Sequence, residues 1–435
     1  MLRSDDRDPD PGDSQEEMEA ESSGEQYELP RKNKFFLWLP LPAVILVTLP
    51  WVYVRLSGLE VPDPTAALLS GVAILGAAFM LGWAAEVVQL DVSQGLAMAA
   101  VALIAVLPEY AVDMYFAWTA AQNPVYTHYA VANMTGGNRL LLGLGWPLLV
   151  FLWWLRTRKP VLEVHKERRV ELSFLAIATM YAFVLPVKQC LSLVDTFVFL
   201  AIFAWYITRT ATGRHVEPEL VGPAEAIADM PPCWRRFSAL GLFAYAAFVI
   251  LLATKPFAEA LLGMGKHFGI DEFLLVQWVA PLASEAPEFA VAALFVFRCQ
   301  PDMALGTLLS SKVNQWTLLV GMLPATYSIA SLAPVALPLV ARQTEEVLLT
   351  AAQSVLGFVV LTELKLSWFE ALLLFGLFAG QLLTPSVHAR QVFAMAYLAI
   401  SVVWLLSNRR HRQGCVKCLA TIWIRRPRDQ APSGM

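Results

Sequence analysis

The chain reads Ala280-Pro281-Leu282-Ala283-Ser284-Glu285-Ala286-Pro287-Glu288-Phe289 in the middle of one apolar run, and Ala105-Val106-Leu107-Pro108-Glu109-Tyr110 in the middle of another. A carboxylate placed in hydrocarbon costs several kcal/mol, so such groups face a cavity, a partner or a pathway. Each glutamate here follows a proline. Proline withdraws a backbone donor, and the carbonyl four residues earlier, that of Ile104 or Ala283, loses its usual partner. A freed carbonyl beside a carboxylate offers two hard oxygen ligands of the kind Na+ or Ca2+ takes. One proline kink alone is a mechanical feature, because neighbouring helices re-satisfy its carbonyl. Two Pro-Glu pairs in matching surroundings point to function.

The surroundings do match. Phe257-Ala258-Glu259 precedes the second pair, and Gly306-Thr307-Leu308-Leu309-Ser310-Ser311-Lys312 follows it. Ala84-Ala85-Glu86 precedes the first pair, and Ala132-Asn133-Met134-Thr135-Gly136-Gly137-Asn138 follows it. The pairs lie 179 positions apart and the small-residue segments 174, so a five-residue insertion near Gln122-Asn123-Pro124 reconciles the registers. An acidic span, a Pro-Glu span and a small-residue span therefore occur twice, in the same order.

Composition sets this pattern in a membrane. The chain has 435 residues, of which 57% are hydrophobic and 16% charged, with mean hydropathy +0.54. Water-facing domains carry about 25% charged residues. Apolar runs fall at about 36–54, 65–88, 96–121, 128–155, 169–185, 190–209, 237–262, 272–297, 302–327, 345–363, 367–385 and 388–407. Each is near the length that crosses the hydrocarbon layer, so about twelve transmembrane helices are expected. The stretch 329–341 is too short and proline-broken to cross, and reads as interfacial or re-entrant. Basic residues collect at Arg31-Lys32-Asn33-Lys34, Arg156 to Arg169, Arg209 to Arg236 and Arg409 to Arg428. With twelve spans and the N-terminus inside, all four clusters land on the cytoplasmic side. The Pro-Glu spans are the third and eighth, an odd number of crossings apart. The halves must then insert with opposite orientation, the inverted repeat of secondary transporters with a midplane site.

The formal net charge of -4 hides segregation: eleven acidic residues lie within 1–28, and the last thirty positions are basic. The first segment reads as a disordered cytosolic tail with no cleavable signal. Cys190, Cys233, Cys299, Cys415 and Cys418 are too few and scattered for a disulfide framework. Cys415-x-x-Cys418 lacks the second ligand pair of a zinc site. No Gly-x-x-x-x-Gly-Lys-Ser/Thr loop is present for an ATP-driven pump, and the six histidines show no His-Glu-x-x-His spacing for a metallohydrolase.

These residues resemble the Ca2+/cation antiporter superfamily with its sodium/calcium exchanger membrane region, of which this chain reads as a divergent member. That family's repeats read Gly-Thr-Ser-x-Pro-Glu, then Gly-Asn-x-x-Gly-Ser-Asn some eighteen residues on. The second repeat is similar without gaps from Phe257 to about Gly321, and the first from about Gly71 to Gly145. The resemblance implies an all-α membrane protein with a ten-helix core of two inverted five-helix repeats. It also implies alternating-access exchange of Na+, H+ or Ca2+, cations that are cargo, with no cofactor. It places Glu109 and Glu288 on the family's ion-binding glutamates, and so as the metal ligands, with Asn133, Asn138 and Ser311 at oxygen-bearing positions. The Gly-Thr-Ser is replaced by Ile104-Ala105-Val106 and Ala283-Ser284-Glu285, and the late Asn/Asp ligand by Leu141 and Gln315.

The departures add Asp113, Ser284 and Glu285 to the ion-binding set, because Glu109 and Asp113 share a helix face and so, roughly, do Glu285 and Glu288. They also add two fixed cations, Lys312 and Arg139. Lys312 is suited to the place of a mobile Na+, which implies fewer bound metal ions and H+ as coupling ion. The plainer reading is that Arg139 and Lys312 pair with Asp113 and Glu285. The expected layout is a tail at 1–34, an additional helix at 36–54, repeat one at 65–209, a linker at 210–236, repeat two at 237–385, an additional helix at 388–407 and a basic tail at 408–435. The expected setting is the plasma membrane with both termini cytoplasmic. The expected partners are lipid and small inorganic cations, without nucleic acid. A transport-inactive sensor or scaffold is the alternative that the lost ligands raise.

Overall fold

The computed structural model describes residues 34–91, 107–211, 220–384 and 386–423. The acidic segment 1–33, the start of the first Pro-Glu run with Ile104-Ala105-Val106, and the final basic residues 424–435 lie outside them.

Helices dominate because a chain that crosses a bilayer must satisfy every backbone group internally. Besides three short helices at Lys34–Trp38, Val184–Lys188 and Pro223–Ala228, the longer ones begin with α1 (Pro40–Ser57), α2 (Asp63–Val88), α3 (Leu107–Ala120), α4 (Tyr126–Leu140), α5 (Trp146–Thr157), α6 (Arg169–Ala182) and α7 (Leu193–Ala211). The remainder are α8 (Pro232–Phe268), α9 (Glu272–Phe297), α10 (Pro301–Asn314), α11 (Val320–Ala330), α12 (Ala341–Leu361), α13 (Trp368–Leu383), α14 (Val387–Ser407) and α15 (Arg409–Trp423). Among the described residues, nine helices are long and apolar enough to cross a membrane, and Trp368–Leu383 is a shorter apolar one. The run at 302–327 is helix, π turn and helix.

Proline opens several of these helices, as it does α2, α8 and α10, where its missing N–H is an orphan anyway. Asp271 caps α9, its side chain accepting from the Phe273 amide at 2.9 Å. Two further prolines, Pro281 and Pro287, lie inside α9.

The order of elements repeats. A helix ending near an acid comes first (α2, α8), then a Pro-Glu helix (α3, α9). Next comes a helix broken by a π turn, at Leu141–Gly145 between α4 and α5 and at Gln315–Leu319 between α10 and α11. Such turns insert one extra residue per turn and concentrate at functional positions. The two lie 174 positions apart, the offset of the small-residue segments. Each half then continues as short strand, helix, short strand, helix: β1 (Val161–Glu163), α6, β2 (Cys190–Leu191), α7 and β3 (Leu337–Pro338), α12, β4 (Lys365–Ser367), α13. β1 pairs antiparallel with β4 and β2 with β3, so every strand bonds to the other half.

The 329–341 stretch, expected as interfacial or re-entrant, leaves the end of α11 through a turn and runs extended into β3, whose Leu337 is buried. The basic segment after residue 408 is helical over α15 and packs on α6. Ser173 Oγ donates to the Cys418 carbonyl there, Cys418 is buried, and His411 Nδ1 lies 3.2 Å from Thr362 Oγ1.

Candidate cation site

Four helices and one π turn bring their polar residues together at the middle of the bundle. The first turn of α3 supplies Glu109, and Asp113 follows one turn later on the same face. From α4 come Asn133, Gly136, Gly137 and Asn138; from α9, Ser284, Glu285 and Glu288; from α10, Ser311 and Lys312. Glu288 is half-buried and the other polar side chains are buried.

Glycine makes the approach of the two halves possible. A Cβ built on Gly136 would overlap the Gln277 carbonyl of α9. A Cβ on Gly137 would stand 3.0 Å from both Glu109 Oε1 and Glu285 Oε1. Carboxylates from the two Pro-Glu helices therefore converge on the bare backbone of α4. The residue that joins them is Gln315, first in the second π turn: its Nε2 donates to Glu109 Oε2 at 3.1 Å and also to Glu285 Oε1. Gln315 is not among the residues the sequence predicts for the site, because it replaces the late Asn/Asp ligand. Its signal was present, since it stands where the resemblance puts a late amide or acid.

The remaining groups sort by partner. Asn133 Nδ2 donates to Asp113 Oδ1 at 2.9 Å. Ser284 bonds back to its own helix, at 3.3 Å to the Ala280 carbonyl and 3.2 Å to that of Pro281. Asn138 Nδ2 does the same toward the Met134 carbonyl at 3.1 Å, which leaves its oxygen free to face the site. Glu109 Oε1, Asp113 Oδ2, Asn133 Oδ1, Asn138 Oδ1, Glu285 Oε2, Glu288 Oε2, Ser311 Oγ and Gln315 Oε1 are buried without a hydrogen-bond partner. An unmatched buried polar atom is costly, and a concentration of oxygens alone is the ligand set of a hard cation. No group of three or more His, Cys, Asp or Glu side chains placed to hold a metal occurs among the described residues. Glu109 and Glu288, expected as metal ligands, stand among carboxylate, amide and hydroxyl oxygens.

The plainer pairing of the two bases needs correction. Lys312 Nζ donates to the Asn138 carbonyl at 2.7 Å and lies 5.6 Å from the centre of the Trp316 ring; its bond is to a backbone, not to Glu285. Arg139 points away from Asp113 altogether. It pairs with Glu346 of α12 and lies 5.0 Å from the Trp278 ring. Helix α4 turns by about 100° per residue, so Arg139 leaves the face that Asn138 presents. Four carboxyl groups at the site are thus matched by one ammonium rather than two fixed cations. Glu346 is the residue that sequence reading missed here, although an acid inside an apolar run is itself a signal.

The model of the sodium/calcium exchanger protein family matches residues 64–211 and 238–387. The crystal structure of the H+/Ca2+ exchanger CAX is similar at TM-score 0.86 and 44% identity, covering 89% of this chain and 98% of that one. Native YfkE is similar at TM-score 0.57 and 16% identity, over 82% of this chain and 99% of that one. The sodium-calcium exchanger NCX_Mj reaches TM-score 0.51 at 16% identity, over 74% and 98%. The last two likenesses bear on the fold alone. The curated relative "Putative antiporter CaxA" of Alkalimonas amylolytica is 22% identical over 209 residues, 47% of this chain; the alignment spans 61% of that relative's length.

Proposed function

The chain belongs to the sodium/calcium exchanger protein family, and from that premise we propose that it exchanges Ca2+ for H+ across the membrane. The observation that carries this reading is the convergence of Glu109 and Glu285 on one amide, Gln315, at the bare backbone of Gly137. Around that point lie oxygens from both halves and a single ammonium. Four carboxyls in a dehydrated space need positive charge: a Ca2+ ion supplies it in one state and protons in the other. Competition between the two for the same oxygens couples their movements. Lys312, held at the Asn138 carbonyl, occupies the place of a further mobile cation. The resemblance to the H+/Ca2+ exchanger CAX favours H+ over Na+ as the counter-ion.

In this reading Glu109 and Glu288 bind the cation, with Asn133, Asn138, Ser311, Asp113 and Glu285 as further oxygen donors. Ser284 shapes the backbone beside them. The two halves, 65–209 and 237–385, are inverted relative to one another and rock about the site, so that it opens to one face at a time. The helices at 36–54 and 388–407 flank this core, and both termini are cytoplasmic in a plasma membrane. The unpartnered oxygens of both halves favour transport over a transport-inactive sensor.

The test is Ca2+ flux in proteoliposomes under imposed H+ and Na+ gradients. A pH gradient drives Ca2+ uptake in the wild type, and Glu288→Gln lowers it at least a hundredfold. Uptake that follows a Na+ gradient and ignores pH, or that persists in Glu288→Gln, overturns the reading.

A further inference from the structure

Arg139, Gln277, Glu346 and Arg390 meet from α4, α9, α12 and α14, and all four are almost fully buried, at 2%, 2%, 1% and 5% exposure. Glu346 is the hub. Its Oε2 accepts from Arg139 Nη2 and, at 3.0 Å, from Gln277 Nε2; its Oε1 accepts from Arg390 Nε at 2.7 Å. Both carboxylate oxygens are used, and by three different helices. Arg139 also turns its Nε toward the Thr135 carbonyl, 3.4 Å away.

The other half places its ion cluster elsewhere: Arg168, just before α6, bonds Glu171 of α6 at 3.2 Å and Asp302 in the first turn of α10 at 3.2 and 2.8 Å. The 174-residue offset between the two π turns maps Arg139 onto Val313 and Glu346 onto Leu172, and both are fully buried apolar residues. At the two positions equivalent to Arg139 and Glu346, that half therefore uses apolar packing. Buried ion pairs are weak sources of stability, and well-packed hydrophobic replacements are often neutral or better. Stability alone gives no reason for the asymmetry.

Position supplies one. Arg139 directly follows Asn138, whose carbonyl holds Lys312, and Gly136 rests on the backbone carbonyl of Gln277. Arg139 and Gln277 thus both connect Glu346 to the segment of α4 that carries the site glycines. Phe273 and Arg342, one helical turn before Gln277 and Glu346, line a cavity of about 410 Å³ together with His128 and Tyr129. Along α9 the order is Phe273 at the cavity, Gln277 at the hub and Glu285 at the site. Arg390 stands on α14, beyond residue 387 where the family match ends.

We infer that Glu346, with Arg139 and Arg390, is a positioning centre that ties α4 to α12 and α14 and gives the two halves unequal freedom to move. This rests on the exchange reading for its effect on transport, while the effect on α4 stands by itself. The test is the triple variant Arg139→Val, Glu346→Leu, Arg390→Leu, which copies the apolar solution of the other half where a counterpart exists. Arg390→Lys, which keeps the charge and loses the planar fork, is run beside it. Three quantities are measured: thermal unfolding, the KM and maximal rate of Ca2+ uptake, and amide hydrogen exchange of 126–140 against 301–314.

The triple variant keeps its unfolding temperature, exchanges 126–140 at least tenfold faster with 301–314 unchanged, and raises the KM for Ca2+ at least fivefold. Arg390→Lys accelerates 126–140 two- to fivefold. Exchange of 126–140 within twofold of wild type, or equal acceleration of both segments, overturns the inference. If the triple variant does not fold, Arg390→Lys decides it by the same comparison. A wild type that moves no Ca2+ against a pH gradient removes the transport reading, and the exchange comparison still decides the hub.

Discussion

At the scale of single residues, the site depends on which oxygen meets which donor. Gln315 is the sharpest case, because one amide serves carboxylates from both halves. Hydrogen bonds to charged groups contribute about 1.5–3 kcal/mol each. Gln315→Leu keeps most of the volume but removes the donor, so Glu109 and Glu285 lose the group that draws them together. The expected outcome is a ten- to hundredfold fall in the ratio of maximal rate to KM for Ca2+, read from initial uptake rates. A ratio within twofold of wild type would exclude Gln315 from the site. Lys312 makes the complementary point. Its ammonium is anchored on the backbone carbonyl of Asn138 in the opposite half, the contact on which its proposed part as a fixed charge rests.

At the scale of elements, the long helix α8 must be held where it emerges. Its 37 residues span about 55 Å at 1.5 Å per residue, more than the roughly 30 Å hydrocarbon layer requires. Its first turns are pinned to the end of α2, since Arg235 grips Asp91 with both Nε (2.9 Å) and Nη2 (2.7 Å), and Arg236 adds a bond at 3.1 Å. The Arg235 guanidinium holds the Asp91 carboxyl below the usual range. A depressed carboxyl pKa contributes stability above the unfolded value, near 3.9, and loses it as pH falls through the folded one. Arg235→Ala is therefore expected to cost about 0.5–1 kcal/mol at neutral pH, the scale of a partly exposed pair. That difference should close in acid, once the pH has fallen through the lowered carboxyl pKa. Urea or thermal unfolding at several pH values checks it, and a cost that grows on acidification would contradict the pairing.

At the scale of the whole molecule, each half completes the other. Among the described residues, strands of one half bond only to strands of the other, and carboxylates of both helices with Pro-Glu pairs close on the same glycine. The proposed topology has a direct consequence for the exposed thiols Cys233 and Cys299. Both fall on the cytoplasmic side when twelve spans start from an inside N-terminus. A membrane-impermeant maleimide added to sealed vesicles should label both in inside-out preparations and neither in right-side-out ones. Labelling of the two from opposite faces would require one span more or fewer between them, and with it a different relation of the halves.

The two Pro-Glu pairs in apolar runs, their repeated context and the basic clusters already determine a membrane protein with a polar centre. They also point to Glu109, Glu285 and Glu288, and the family resemblance adds Asn133 and Asn138. These features are legible because a bilayer imposes span length, hydropathy and internal hydrogen bonding on the chain locally, residue by residue. Partner choice is not local. That Arg139 turns to Glu346 rather than Asp113, that Lys312 takes a carbonyl rather than Glu285, and that Gln315 joins two acids was decided by helices distant in sequence that pack side by side. Their rotation and depth are set by packing at glycine contacts and π turns. A turn of about 100° per residue sends adjacent side chains such as Asn138 and Arg139 to different neighbours, and only the tertiary structure says who those neighbours are.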